Sequence, residues 1–114
     1  PGALERTPLS LPEIQQNRAF AHATRIDGFG NVSLDLTAEH ISGHPLAGAQ
    51  RVSVGSRSRR RTAARARTFD DVADGAFLLY EDSSGSIALA VNRGDASEVL
   101  DVRVGDVVEL EPAP

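Results

Sequence analysis

Residues 31–36 read Asn-Val-Ser-Leu-Asp-Leu, which places Val32, Leu34 and Leu36 on one face and Asn31, Ser33 and Asp35 on the other. That period of two predicts a half-buried strand. Residues 19–26 (AFAHATRI) predict a partner strand, and Gly28-Phe29-Gly30 the turn between them. Thr37 is placed to cap a short helical turn through Ile41, which Gly43 and Pro45 stop. Gln50 to Val54 predicts a further short strand.

The stretch from Gly55 to Arg67 carries six arginines and nothing apolar in its first half, so it reads as a solvated loop. Ala76 to Glu81 is a continuous apolar run, the pattern of a strand buried on both faces. Ser86 to Val91 follows as another strand, with Ser83-Ser84-Gly85 as the turn between. Asp95-Ala96-Ser97-Glu98 resembles a capping box, with Asp95 as N-cap and Glu98 reaching back, and starts one or two helical turns ending near Leu100. Val104-Gly105-Asp106 is a turn, and Val107 to Leu110 a last strand. Residues 1–18 hold three prolines and no sustained period, and read as a linker or extended arm. The expected fold over 19–112 is therefore all-β: a small, mostly antiparallel, closed β-barrel with one or two short helical turns.

Composition sharpens this picture. The chain has 114 residues, room for one domain. Phe20, Phe29, Phe69, Phe77 and Tyr80 are the only aromatics, so the core must be built from Val, Leu, Ile and Ala. The absence of Cys excludes disulfides, thiolate metal sites and cysteine nucleophiles, and fits a cytoplasmic protein. No apolar run approaches the length of a membrane span. The start at Pro1, without an initiator Met, reads as a piece of something longer. All basic residues are Arg, and charge is uneven: residues 1–69 hold ten Arg against five acids, residues 70–114 two against eleven. Such asymmetry suggests a docking surface or two unlike faces of one barrel.

Three groups could carry chemistry. In Asp27-Gly28-Phe29-Gly30-Asn31, glycines let a ligand approach the backbone, Phe29 offers a flat surface, and Asp27 and Asn31 could converge on one polar ligand, a ribose for instance. The same residues also suit an ordinary hairpin with local turn bonds. From Tyr80 to Gly94, the small residues Ala88 and Ala90 leave room above the sheet, and backbone groups at Val91 and Asn92, where the strand ends, could read a purine; a tight barrel needs small residues too. The arginine run (Arg57, Arg59, Arg60, Arg61, Arg65, Arg67) could contact phosphates, but it lacks interleaved aromatics in an acidic chain, so nucleic acid is not the expected partner. His40 and His44 have helical spacing, yet Gly43 lies between them and no acid stands at a matching spacing, so zinc is not expected.

Taken together, RIDGFGNVSLDL and the downstream RTFDDV…GAFLLYEDSSGSIALAVNRGDASEVLDVRVGDVVEL resemble the C-terminal domain of the S-adenosylmethionine (SAM) hydroxide adenosyltransferases. These are adenosine-forming SAM hydrolases, related to fluorinating and chlorinating enzymes, and the resemblance covers residues 19–110. It implies a homotrimer whose active sites lie between the N-terminal domain of one subunit and the C-terminal domain of its neighbour. Water or hydroxide attacks the 5′ carbon of SAM, L-methionine leaves and adenosine forms, with SAM as substrate and no cofactor. Carried over by position, Asp27 meets the methionine amino group, Phe29 and Asn31 line the pocket with Asn31 on the adenine edge, and Phe69 packs on adenine. Ser83 lies near the methionine carboxylate, and Ala90, Val91, Asn92 and Arg93 run along the purine.

The sequence departs from the halogenases at Ser84 and Val91, where they carry Arg, and at Ser33, where they carry a bulky aromatic. These departures favour hydrolysis over halogenation, and Ser84 weakens the case for carboxylate binding by its turn. The catalytic residues of the N-terminal domain have no counterpart here, so the chain alone is expected to be inactive. Two other readings remain at this stage: a free-standing adenosyl-binding barrel, and an interaction domain whose arginine loop docks an acidic partner.

Overall fold

A computed structural model describes residues 12–67 and 72–114. The elements, in chain order, are β1 (Glu13–Ile14), β2 (Ala19–Ile26), β3 (Val32–Thr37), α1 (Pro45–Gly48), β4 (Arg51–Gly55), β5 (Arg60–Arg65), β6 (Phe77–Glu81), β7 (Ser86–Val91), α2 (Ala96–Leu100) and β8 (Val107–Pro112). Strands β2-β3-β7-β6-β5-β4-β8 pair in that order, and β8 returns to β2, so seven strands close a barrel. Every pairing is antiparallel except β5 with β6. β1 adds to β2 through Glu13↔Phe20 and Ile14↔Ala19, so part of the expected arm is strand. Neither described helix is long and apolar enough to cross a membrane.

The barrel interior follows the alternation in the sequence. Ala19, Ala21 and Ala23 from β2, Val32, Leu34 and Leu36 from β3, and Ile87, Leu89 and Val91 from β7 all enter one core. Phe77 is the only aromatic among the described buried residues, so aliphatic packing dominates. β6 and β7 are buried on both faces, as their continuous apolar runs require. Leu78 and Ala90 point outward and form a second small cluster with Ala66, against which Val72 and Tyr80 pack.

Two sequence expectations are corrected. Half of the arginine stretch is strand β5, not loop. Only Ala63 is fully buried there, and polar partners supply the anchors that apolar side chains do not. The Arg60 guanidinium bonds to Ser53 Oγ at 2.9 Å on the neighbouring β4 and, one strand further, to Glu109 at 2.7 Å on β8. Arg59 donates to the Glu98 and Val99 carbonyls at the end of α2, and Arg65 to the Leu46 and Ala49 carbonyls of α1. Cations suit these positions because the last carbonyls of a helix lack partners and carry partial negative charge. Second, Pro45 starts a helix where a stop was expected. Its missing N–H is no loss at the first helical position. His44 caps that helix by accepting from the Leu46 amide at 3.0 Å through Nδ1. Its Nε2, 2.7 Å from the Gln15 carbonyl, is therefore the protonated nitrogen, and it ties the arm to α1.

Candidate functional site

Two turns built the same way shape the outer face of β2, β3, β7 and β6. In the first, Asp27 Oδ1 accepts from the amides of Phe29 (2.8 Å) and Asn31 (3.0 Å), and the Gly30 amide donates to the Asp27 carbonyl. In the second, Asp82 Oδ1 accepts from the amides of Ser84 (2.9 Å) and Ser86 (3.0 Å), and the Gly85 amide donates to the Asp82 carbonyl. Gly30 and Gly85 take φ of +84° and +88°, the left-handed conformation that closes a three-residue hairpin loop.

The first turn is clamped from behind by α2. A Cβ on Gly30 would lie 2.1 Å from Asp95 Oδ1, and the Ser97 amide donates to the Gly30 carbonyl. Asp95 is the N-cap, accepting from the Glu98 amide at 3.1 Å as the sequence indicated. The side chain that bonds its carboxylate is Ser97, whose hydroxyl donates to Oδ1. Held this way, the turn presents Phe29 with 80% of its surface exposed.

Two adjoining clefts share Asn31. One, of about 430 Å3, is lined by Phe29, Asn31, Val91, Arg93 and Gly94, and is largely apolar. The other, of about 230 Å3, is polar and includes Asp27, Asn31, Ser83 and Ser84. Sequence reasoning gave no individual role to three further residues that line the polar cleft: Arg25, Tyr80 and Asp82. A signal for Asp82 was present, since Asp82-Ser-Ser-Gly repeats the Asp-x-x-Gly spacing of Asp27 to Gly30.

The remaining candidates are placed differently. Ala90 is fully buried beneath the surface, against Leu78 and Ala66. Asn92 is turned inward, its side chain donating to the Val72 carbonyl at 3.0 Å. Its amide and carbonyl bond to Ala76 and Gly75, so the backbone groups expected to be free at this strand end are occupied at Asn92. Arg93 is exposed, in the left-handed region at φ 61°, with Asp74 at 3.6 Å. Phe69 lies outside the described residues. Among the described residues no cluster of three metal-ligating side chains occurs; His40 accepts from the Thr37 amide and His22 lies 2.8 Å from Asp35.

The site's carboxylates are held ionised. Partial burial pushes the Asp27 carboxyl up, but the Phe29 and Asn31 amides, the Asn31 side chain and the Arg25 charge together hold it below the ordinary range. For Asp82, burial is likewise outweighed by bonds from Ser84, Ser86 and Gly85. The Ser97 hydroxyl chiefly lowers Asp95. Burial, reinforced by the Asp27 and Asp82 charges, raises the Tyr80 phenol, which stays protonated.

A carboxyl whose folded pKa is depressed stabilises the fold only while ionised. That contribution is complete above its ordinary value near about 3.9 and is lost as pH falls through the lowered folded value. Thermal melts should therefore be flat from pH 7 to about pH 5 and fall steeply below about pH 4. Asp27→Asn keeps an oxygen acceptor for both amides but loses the charge and the acceptor for the Asn31 side chain, so it should melt below wild type at pH 7 and lose less stability between pH 5 and pH 3. An unchanged acid loss in Asp27→Asn would remove Asp27 from this linkage.

The sequence model of the SAM hydroxide adenosyltransferase C-terminal domain matches residues 21–109. The chain belongs to this family. It is 38% identical over 110 residues to the (R)-S-adenosyl-L-methionine hydrolase of Salinispora arenicola, covering 96% of this chain and 39% of that protein. The hydrolase of the same name from Thermus thermophilus is 34% identical over 107 residues, covering 94% of this chain and 36% of that protein. Among solved structures, an uncharacterized conserved protein from Thermotoga maritima superposes with a TM-score of 0.80 at 32% identity, covering 90% of this chain and 40% of the other. A conserved hypothetical protein from Thermus thermophilus gives a TM-score of 0.60 at 30% identity, covering 95% of this chain and 40% of the other. The SAM hydroxide adenosyltransferase domain seen here thus spans under two-fifths of the length of those hydrolases.

Proposed function

We propose that this domain forms the adenine wall and part of the methionine pocket of an enzyme that hydrolyses (R)-S-adenosyl-L-methionine to adenosine and L-methionine. The observation that carries the reading is the junction at Asn31 of an apolar cleft with a polar, charged one. An adenosyl sulfonium amino acid has that same division: a flat base at one end, an ammonium and a carboxylate at the other. Phe29 offers its exposed ring to the base. Asn31 donates through Nδ2 to Asp27 at 3.0 Å, which leaves its Oδ1 to accept from the adenine amine. Asp27, kept anionic, receives the ammonium.

In the reaction, water adds to the 5′ carbon as the carbon–sulfur bond breaks, methionine leaves as a neutral thioether and one proton is released. SAM is the substrate and no cofactor is required. The groups that activate water belong to an N-terminal domain, of the same or a neighbouring subunit in a homotrimer, so this chain alone does not turn SAM over. A cytoplasmic location accords with a cysteine-free chain. Four of the arginines that suggested phosphate binding are bonded within the protein, which argues against nucleic acid as a ligand.

Asn31→Ala should weaken adenosine binding by about 1–3 kcal/mol, the cost of an unpaired buried partner. Calorimetric or NMR titration of this chain with adenosine measures it; wild-type affinity in the variant would remove Asn31 from the adenine edge.

A further inference from the structure

We infer that Arg25 is the residue that binds the carboxylate of the substrate's amino-acid end. The inference rests on the proposed function and adds a specificity residue to the same site.

The backbone itself aims Arg25. Ala19, Ala21 and Ala23 alternate into the core, and unbroken alternation would put Arg25 inside with them. Between Ala23 and Arg25, however, β2 advances two residues while β3 advances one, from Leu34 to Ser33. This bulge inverts the alternation: Ile26 resumes packing on the core, and Arg25 is turned outward. Re-aiming a side chain in this way is a recurrent use of bulges beside binding sites. The rung partner of Arg25 is Ser33, whose small side chain leaves the space above it open.

Arg25 lines the polar cleft beside Asp27 and Ser83 and brings its guanidinium charge to bear on Asp27. It makes no hydrogen bond or ion pair among the described residues. Arg59, Arg60 and Arg65 differ in this respect, each being bonded to protein oxygens. Arg25 is near enough to Asp27 to favour its ionisation, yet does not pair with it. One cleft therefore holds a guanidinium and two carboxylates, Asp27 and Asp82; Asp82 is taken up by the bonds of its own turn, and Arg25 with Asp27, unpaired with each other, complements an α-amino acid zwitterion. In the serine turn, the Ser84 hydroxyl and amide are both bonded to Asp82, which leaves Ser83 as a neutral hydroxyl beside Arg25 and Arg25 as the only cation among the described residues lining the cleft. A guanidinium suits the role because its fork matches both oxygens of a carboxylate.

The test is an NMR titration of this chain, following backbone amides and the Arg25 Nε–H. The probes are adenosine, L-methionine and L-methioninamide, which keeps the ammonium and lacks the carboxylate. L-Methionine should shift both the Arg25 Nε–H and the amides of the Asp27 turn; L-methioninamide should shift only the turn. Arg25→Gln, an exposed substitution, should weaken L-methionine about tenfold, the scale of one charge-assisted bond at a partly exposed site, and leave adenosine unchanged. Arg25→Lys should recover part of the loss. Unchanged methionine affinity in Arg25→Gln, or an adenosine response without any methionine response, would overturn the assignment of Arg25 and leave the adenine cleft standing. If adenosine moves none of Phe29, Asn31 and Gly94 in the wild type, the proposed function fails, and this inference with it.

Discussion

Gly30→Ala is expected to lower the stability of the domain by about 2–3 kcal/mol, and its melting temperature by roughly 15 °C. Two costs add. At φ +84° an L side chain is strained by about 1–2 kcal/mol. The new methyl would also sit 2.1 Å from Asp95 Oδ1, so the N-cap of α2 must move, which costs about 1 kcal/mol more. Because the Ser97 amide is bonded to the Gly30 carbonyl, the turn and helix shift together. Phe29 and Asn31 flank this glycine, so adenosine affinity should fall even well below the melting temperature. Calorimetric melts with parallel titrations measure both effects; wild-type stability would show that the turn and α2 are not clamped.

Leu89→Ala should cost a similar amount, about 3 kcal/mol, with the opposite functional outcome. Leu89 is fully buried, opposite Val32 of β3 and Leu79 of β6. Truncating it leaves a cavity that strands braced on both sides cannot collapse to fill. Against a total stability of about 6–17 kcal/mol for a chain of this length, that is a large loss. The side chain points into the barrel, away from both clefts, so at low temperature adenosine affinity should match wild type. Chemical denaturation reports the stability change, and titration in the absence of denaturant the affinity. Comparing the two variants separates loss of fold from loss of site; equal affinity losses would mean that the clefts respond to barrel stability in general.

Much of the barrel was legible because a strand with one face in a core writes its geometry as a period of two. Val32, Leu34 and Leu36 show this, as do Ile87, Leu89 and Val91. Strand β5 was not legible, because its outward residues are arginines held by carboxylates and carbonyls from distant segments, and no local pattern encodes those partners. Pro45 carries two opposed local meanings, stop and first helical position, and the capping imidazole of His44 decides between them.

At the site, the turn holding Asp27, Phe29 and Asn31 could be read from its glycines. That Ala90 and Asn92 face protein could not, since this depends on Ala66, which packs against Ala90, and on Val72, whose carbonyl accepts from Asn92, both distant in sequence. Arg25 was hidden for a related reason. A bulge leaves only one phase error in the alternation, visible in the sequence as Ile26 standing where a polar residue was due.

Barrel closure has a consequence for how the chain reaches its native state. The seam joins Ala19 to Leu110, two residues near opposite ends of the chain. Such a pairing gains its contact energy only after nearly the whole chain has been looped back, and the entropy of that loop has to be met first. Folding dominated by such distant pairings falls in the millisecond-to-second range. During synthesis, β2 has no β8 to pair with until Leu110 has emerged, so cooperative closure waits for almost the last residue of the domain.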